Sequence, residues 1–195
     1  MQQAFQEALA AHKQAVNRLE AGRGEAIEQI THLVIDSLRN EGCVYLCGNG
    51  GSAADSQHVA GELVGRFHRK RRPLPAVAFT TDTSVLTCIG NDYSYQDIFT
   101  RQVEAMVTER DVLWAFSTSG TSANVVAAAE LAKEKGARVI AFTGRENTPL
   151  EHLADACLCS GTRATNTAQE IHQLAYHIIC ELIDREFSPD VEKSS

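Results

Sequence analysis

The 195-residue chain has no apolar run near the ~20 residues that a bilayer crossing needs, so no membrane span is expected. It has no excess of basic charge. Its 18 Lys and Arg stand against 25 Asp and Glu, a net charge of −7, which argues against a general nucleic-acid or anionic-membrane binder. The opening Met-Gln-Gln-Ala-Phe-Gln-Glu has neither the basic start nor the apolar stretch of a signal peptide, and a cytoplasmic protein is expected. There is no C-x-x-C among Cys43, Cys47, Cys88, Cys157, Cys159 and Cys180. These are expected as reduced thiols, most of them packed in the core as small apolar groups. Cys157 and Cys159 would share one face of a strand, which leaves a metal pair open. Internal repeats, low-complexity tracts and interdomain linkers are also missing. What remains is one domain, 44% hydrophobic, with a polar tail over 188–195 expected to fray.

The stretch that organises the chain is 43–66. Residues 43–47 form a short apolar run rich in β-formers, which reads as a buried parallel strand. It runs into Gly48-Asn49-Gly50-Gly51-Ser52, a loop whose backbone can take positive φ and approach a ligand closely. Ser52 is suited to cap the helix that follows. Such a unit sets backbone N–H groups and the positive end of a helix beside a ligand. The Gly-Lys-Ser/Thr ending of a P-loop is missing. On the expected helix His58 and Glu62 are four apart and share a face. They can bind one metal ion or act as acid and base; an ordinary surface pair is the alternative.

Ahead of this stretch, Phe5, Leu9, His12, Val16 and Leu19 recur at spacings of four and three, an amphipathic helix with a narrow seam. Residues 25–40 repeat the pattern with Ile27, Ile30, Val34 and Leu38. This N-terminal helical hairpin (1–42) belongs to the same domain as 43–187, and its seam suits either the chain's own sheet or a second subunit. Strands expected at 43–47, 75–79, 111–116, 138–142 and 156–159 alternate with helices at 53–66, 83–90 with 95–107, 123–135, 149–153 and 167–187. The expected fold is α/β: a five-stranded parallel sheet, flavodoxin-like, with helices on both faces. Ligands in such sheets bind beyond the carboxyl ends of the strands, where the strand order reverses.

A second chemical loop follows the third strand. Ser117-Thr118-Ser119-Gly120-Thr121-Ser122 precedes a helix expected from Ala123. Hydroxyls, a glycine and a helix N-terminus make a phosphate site without a lysine, although such turns also occur merely as caps. The last helix carries Gln169, Glu170, His172, Gln173 and His177. Gln169 and His177 are eight apart, ~12 Å along a regular helix. That is too far for two ligands of one metal ion unless the helix starts late or the residues act across a subunit interface. The basic run Arg66-Phe-His-Arg-Lys-Arg-Arg72 reads as a solvated loop, with one arginine reaching a phosphate as the alternative. No aromatic stacking surface accompanies it, which argues against nucleic acid.

Taken together, the Gly48–Asp55 loop with His58, Glu62 and Arg66, the segments Leu74–Ala78 and Ile89–Asp92, the Ser117–Asn124 loop, and Gln169-Glu-Ile-His172 with His177 resemble the phosphoheptose isomerase family of SIS-domain proteins. The resemblance covers residues 5–187 in the family's order. It implies a single SIS domain that isomerises sedoheptulose 7-phosphate to D-glycero-D-manno-heptose 7-phosphate, in ADP- or GDP-heptose biosynthesis for surface glycans such as lipopolysaccharide. It also implies a homotetramer with sites at subunit interfaces and one zinc per subunit. By matching motif, the zinc ligands would be His58, Glu62, Gln169 and His177, with Glu62 and His177 as the acid/base pair. Substrate contacts would come from Asn49, Gly50, Gly51, Glu62, Asn91 and Asp92, and from Ser117, Thr118, Ser119, Ser122 and Gln169.

Two departures from the family pattern stand out. Thr167-Ala168 replaces an Arg-Ile pair, and Arg145-Glu-Asn-Thr148 replaces a Gly-Gly loop. Other SIS relatives are non-catalytic regulators that bind the bacterial replication initiator; they lack the glutamate four residues after the histidine, so Glu62 together with His177 favours the enzyme. An isomerase of another phosphosugar is the third reading.

Overall fold

The computed structural model describes residues 1–188. Five strands, β1 (Val44–Gly48), β2 (Ala76–Ala78), β3 (Val112–Ser117), β4 (Arg138–Thr143) and β5 (Ala156–Cys159), form one sheet in the order β2-β1-β3-β4-β5, with every neighbouring pair parallel. The order reverses between β1 and β3, and the Gly48–Ser52 and Ser117–Ser122 loops leave the carboxyl ends of those two strands. The ligand crevice of such a sheet therefore lies where both loops meet. The expected fold class and strand positions agree with this architecture.

Both faces of the sheet are buried, which is why its strands read as near-continuous apolar runs. On β3, Trp114 and Phe116 face one side, while Leu113 and Ala115 face the other. The first face is covered by α1 (Gln2–Gly22), α2 (Gly24–Arg39), α3 (Gly51–Val64) and α8 (Thr165–Phe187). The second is covered by α4 (Thr83–Asp92), α5 (Thr100–Met106), α6 (Ala123–Glu134) and α7 (Pro149–Leu153). Ala128, Ala129 and Ala132 let α6 pack close to Ala115 and Ala141.

Several boundaries differ from expectation. α3 starts at Gly51, with Gly50 as N-cap at φ +57°, so Ser52 lies inside the first turn instead of capping it. A helix expected over 95–107 is split into a 3₁₀ turn, Tyr95–Asp97, and α5. α8 is unbroken from Thr165, so a late start near Gln169 does not occur. The seam of α1 divides: Ala15 and Leu19 are buried in the chain's own core, whereas Phe5 (59% exposed) and Leu9 (40%) face outward. All six cysteines are free; Cys47, Cys159 and Cys180 are buried. From residue 189 on, the tail expected to fray lies outside the described residues.

The basic run is the exposed loop expected, with Arg66, Arg69, Lys70 and Arg72 in solvent, except at Arg71. The Arg71 side chain is buried, and its Nε donates to Asp184 Oδ1 of α8 at 2.7 Å. Its two Nη groups donate to the carbonyls of Leu63 and Glu62, the end of α3. Asp184 Oδ2 accepts the backbone N–H groups of His68 and Arg69. The pair thus fastens the end of α3 and the 65–73 loop to α8. We expect Asp184→Asn to cost about 3–5 kcal/mol in urea unfolding, because it leaves a buried guanidinium without its counter-charge. A loss below ~1 kcal/mol would contradict this role.

Candidate active site

Two groups of polar side chains emerge. The first joins α3 to α8. Nε2 of His58 lies 3.1 Å from Glu62 Oε1 and 3.4 Å from His177 Nε2. One ligand atom from each of the three residues lies within 4.8 Å of the other two. Two imidazole nitrogens and a carboxylate oxygen converging on one point form the donor set that a divalent metal ion takes with a position left open. Without a cation, the two ring nitrogens would face each other across a single proton. His177 is pushed below the ordinary imidazole range, first by burial and then by neighbouring His58, against the pull of Glu62. This favours the neutral, metal-ligating form of the ring.

The second group surrounds the crevice between β1 and β3. Asn49 and the buried Asn124 exchange hydrogen bonds at 2.8 and 2.9 Å, and Tyr95 Oη donates to Asn49 Oδ1 at 2.9 Å. This carboxamide pair ties the glycine loop to the start of α6. A cavity of about 390 Å³ lies alongside, walled by Asn49, Gly50, Thr80, Thr87 and Phe99 among others. Ser117 Oγ contacts the hydroxyls of Ser122 (2.9 Å) and Ser119 (3.3 Å) and accepts the Gly120 N–H. Ser122 turns its hydroxyl inward and makes no side-chain cap on α6. The loop's hydroxyls therefore satisfy one another and can rotate onto an anion, with the first amides of α6 behind them.

The loop is braced from outside. Gly120 has φ +68°, and a β-carbon there would sit 2.3 Å from Thr148 Oγ1. Thr148 is the N-cap of α7 in a capping box with Glu151. In the departing segment 145–148, Asn147 occupies the left-handed region at φ +56°, which asparagine tolerates.

The sequence-derived residues do not all meet within one chain. Gln169 sits two turns before His177 on α8, with its carboxamide against Gly51, where a β-carbon would lie 2.3 Å from Nε2. It is therefore beside the glycine loop, ~12 Å along α8 from His177. Asn91 donates to Asp92, and Asp92 lines a separate shallow cleft with Cys88, Tyr93 and Arg101. Thr118 follows Ser117 with its carbonyl bound by the Gly144 N–H. Cys157 and Cys159 join no three-residue ligand group among the described residues, and burial pushes the Cys157 thiol up to about 12.

His172 is fully buried; Nε2 donates to the Thr143 carbonyl at 3.0 Å, and burial lowers the ring to about 4. It is a core residue. Sequence reasoning gave no role to Asn124, Tyr95, Tyr176 or Asp55. Tyr176 Oη lies 2.9 Å from His58 Nδ1, and burial pushes Asp55 up to about 6.

A family model described as the SIS domain matches residues 8–144. The chain is 43% identical over 184 residues to a phosphoheptose isomerase of Helicobacter pylori (strain P12), covering 94% of this chain and 96% of that one. Among solved structures it is similar to phosphoheptose isomerase GmhA from Neisseria gonorrhoeae, with TM-score 0.89 and 40% identity, covering 94% and 98% of the two chains. It is also similar to a phosphoheptose isomerase from Francisella tularensis, with TM-score 0.90 and 33% identity, covering 94% and 97%.

The buried ring of His172 sets an acid limit. Its folded pKa, about 4, lies below the ordinary 6.5, so between these values the unfolded chain binds a proton that the folded chain refuses. Stability is therefore lost as pH falls through this window, by ~3 kcal/mol from this residue. Asp55, raised to about 6, works in the opposite sense, because the folded state takes up its proton first as pH falls. Metal-free Asp55→Asn should thus lose stability more steeply than wild type between pH 6.5 and 4 in urea titrations. Equal slopes would contradict this balance.

Proposed function

The chain belongs to the SIS-domain family and, within it, to the phosphoheptose isomerases, and from that membership we propose that it converts D-sedoheptulose 7-phosphate to D-glycero-D-manno-heptose 7-phosphate. The observation that carries this reading is the His58–Glu62–His177 group on a fold whose β3 loop is built of hydroxyls. Isomerisation moves one proton from C1 to C2 and one hydroxyl proton from O1 to O2. Glu62 takes the C1 proton as general base, and His177 delivers a proton at C2. Ser117, Thr118, Ser119 and Ser122 hold the phosphate, which is remote from the reacting carbons, so its binding energy keeps the open-chain sugar in register. Asn49, Gly50, Gly51 and Gln169 line the sugar's path between them.

His58, Glu62 and His177 fit a zinc ion, with Gln169 as a fourth ligand. When bound, zinc supplies polarisation of the substrate's carbonyl oxygen. The geometry favours a site completed by a neighbouring subunit. Glu62 is eleven residues beyond Gly51 on α3, ~16 Å along the helix, and Gln169 is similarly remote from His177. Asp92, with Asn91 donating to it, lines a separate cleft. In a homotetramer, the glycine and hydroxyl loops, Asn91, Asp92 and Gln169 of one chain meet the histidine–glutamate group of another. Phe5 and Leu9 give α1 an uncovered seam for that association.

No helix among the described residues is long and apolar enough to cross a membrane. We place the reaction in the cytoplasm, as the step that opens nucleotide-activated heptose synthesis for surface glycans such as lipopolysaccharide. Glu62 and His177 in one cluster favour catalysis over a regulator that binds the replication initiator.

Turnover of sedoheptulose 7-phosphate by the purified chain, with and without added zinc, tests the reading directly. Glu62→Gln keeps shape and removes the base, and kcat should fall at least ~100-fold. Near-normal turnover would overturn the assignment. Glutamate at both Phe5 and Leu9 should dissociate the oligomer and abolish activity together, because an apolar seam does not tolerate unpaired charge. Light scattering that found a fully active monomer would refute the shared site.

A further inference from the structure

We propose that Asp55, acting through Tyr176, fixes the ring tautomer of His58, keeping the proton on Nδ1 and leaving Nε2 free to bind a metal ion. Asp55 and Tyr176 are positioning residues in this scheme. The inference deepens the metal reading given above and rests on it for what Nε2 holds; the polarity of the hydrogen bonds stands on its own.

Asp55, His58 and Glu62 follow one another along α3 at steps of three and four, a stripe facing α8. Tyr176 descends from α8 onto this stripe. Its side chain is buried, its ring meets His58 edge-on at 5.4 Å between centroids, and its hydroxyl lies 2.9 Å from His58 Nδ1. The same hydroxyl faces the Asp55 carboxylate. Asp55 Oδ2 is buried and makes no hydrogen bond in the structure, so it lacks the donor that a turned phenol hydroxyl would supply.

The phenol has one proton to give. If it went to Nδ1, the neutral ring would carry its own proton on Nε2, pointing at Glu62 and His177. If it goes to Asp55, the phenol oxygen accepts from Nδ1–H, and Nε2 keeps its lone pair. An ionised carboxylate can only accept, and its hydrogen bonds are the stronger, charge-assisted kind. Glu62 competes from the other side, since its oxygen at 3.1 Å would draw the ring proton to Nε2. The contest is decided by solvent. The Glu62 side chain is 21% exposed, so water can serve its oxygens, whereas a buried Asp55 oxygen without a donor bears the full desolvation cost. The chain of donors therefore runs from His58 Nδ1 to Tyr176 and from Tyr176 to Asp55. A metal-binding histidine commonly gives its second N–H to a carboxylate or carbonyl. Here a tyrosine stands between ring and carboxylate.

Two measurements on the full chain test this. In metal-free protein labelled with ¹⁵N-histidine, at a pH where His58 is neutral, the ring should be the Nδ1–H tautomer. In Asp55→Ala the phenol turns to Nδ1 and the ring should switch to Nε2–H, while Asp55→Asn, which still offers an acceptor oxygen, should retain the wild-type tautomer. An Nε2–H tautomer in wild type, or no switch in Asp55→Ala, would overturn the proposal. Neither result depends on turnover or on bound metal, so failure here is separable from failure of the isomerase reading.

Competition of the protein with a chromogenic chelator for zinc gives the second measurement. Tyr176→Phe and Asp55→Ala should each weaken zinc binding by ~10-fold or more. The double variant should be no weaker than Asp55→Ala, because both act through one chain of donors. Losses that multiply, or single variants within twofold of wild type, would count against it.

Discussion

The buried contact between Arg71 and Asp184 holds the α3–α8 side of the molecule in register. Burying two charges is costly unless most of the remaining donors and acceptors are used; here four of the five guanidinium N–H groups and both carboxylate oxygens are hydrogen-bonded. The guanidinium also takes the carbonyls of Glu62 and Leu63, which α3 would otherwise leave open at its end. The carboxylate takes the amides of His68 and Arg69. One interaction therefore closes a helix, folds back a loop and fixes α3 against α8. His58 and Glu62 stand on the first of these helices and His177 on the second, so the spacing of their ligand atoms depends on it. Phe67, carried on the same loop, lies against the His177 ring at 5.6 Å between centroids.

The crevice at the other end of these helices is built on a different principle. Neither of its loops carries a lysine or arginine. An anion there would be met by helix amides and hydroxyls, which give direction without the long, flexible stem of a basic side chain. Stiffness then has to come from packing and neutral hydrogen bonds. Asn49 and Asn124 lock the two loops to each other, and Thr148 backs Gly120 from the third layer. The substitution of Arg145–Thr148 for a glycine pair keeps this brace, since Asn147 takes the left-handed position and Thr148 the cap.

Much of this was legible in the chain. Apolar runs of five or six residues ending in Gly48 and Ser117 could hardly be anything but buried strands, and the i, i+4 spacing of His58 and Glu62 survives into the structure because α3 is regular. The residues that escaped notice are those whose partners are distant in sequence. Arg71 lies in a basic run whose neighbours are solvated, and nothing local marks it as the one that meets Asp184. Tyr176 and Asp55 look like an apolar-face aromatic and a helix-surface acid until α8 docks on α3. Asn124 reads as an ordinary first-turn residue. Local pattern reveals which face an element buries; it does not reveal which polar atom on that face finds a partner 75 to 118 residues away. The Ser52 misplacement has a local cause: Gly50 at positive φ takes the N-cap position two residues before Ser52.

α8 lies against the first face of the sheet and is the last element of the described chain. Trp114, Phe116 and Phe142 are fully buried beneath it and its neighbours. During synthesis these rings are made long before their cover, and the His58–Tyr176 contact spans 118 residues. Contacts of that separation form slowly, and an uncovered aromatic sheet face invites association with the wrong partner. Assembly of the His58–Glu62–His177 group is therefore coupled to the closing event of folding: a nascent chain that stops short of α8 exposes its stickiest surface and has not yet formed that group.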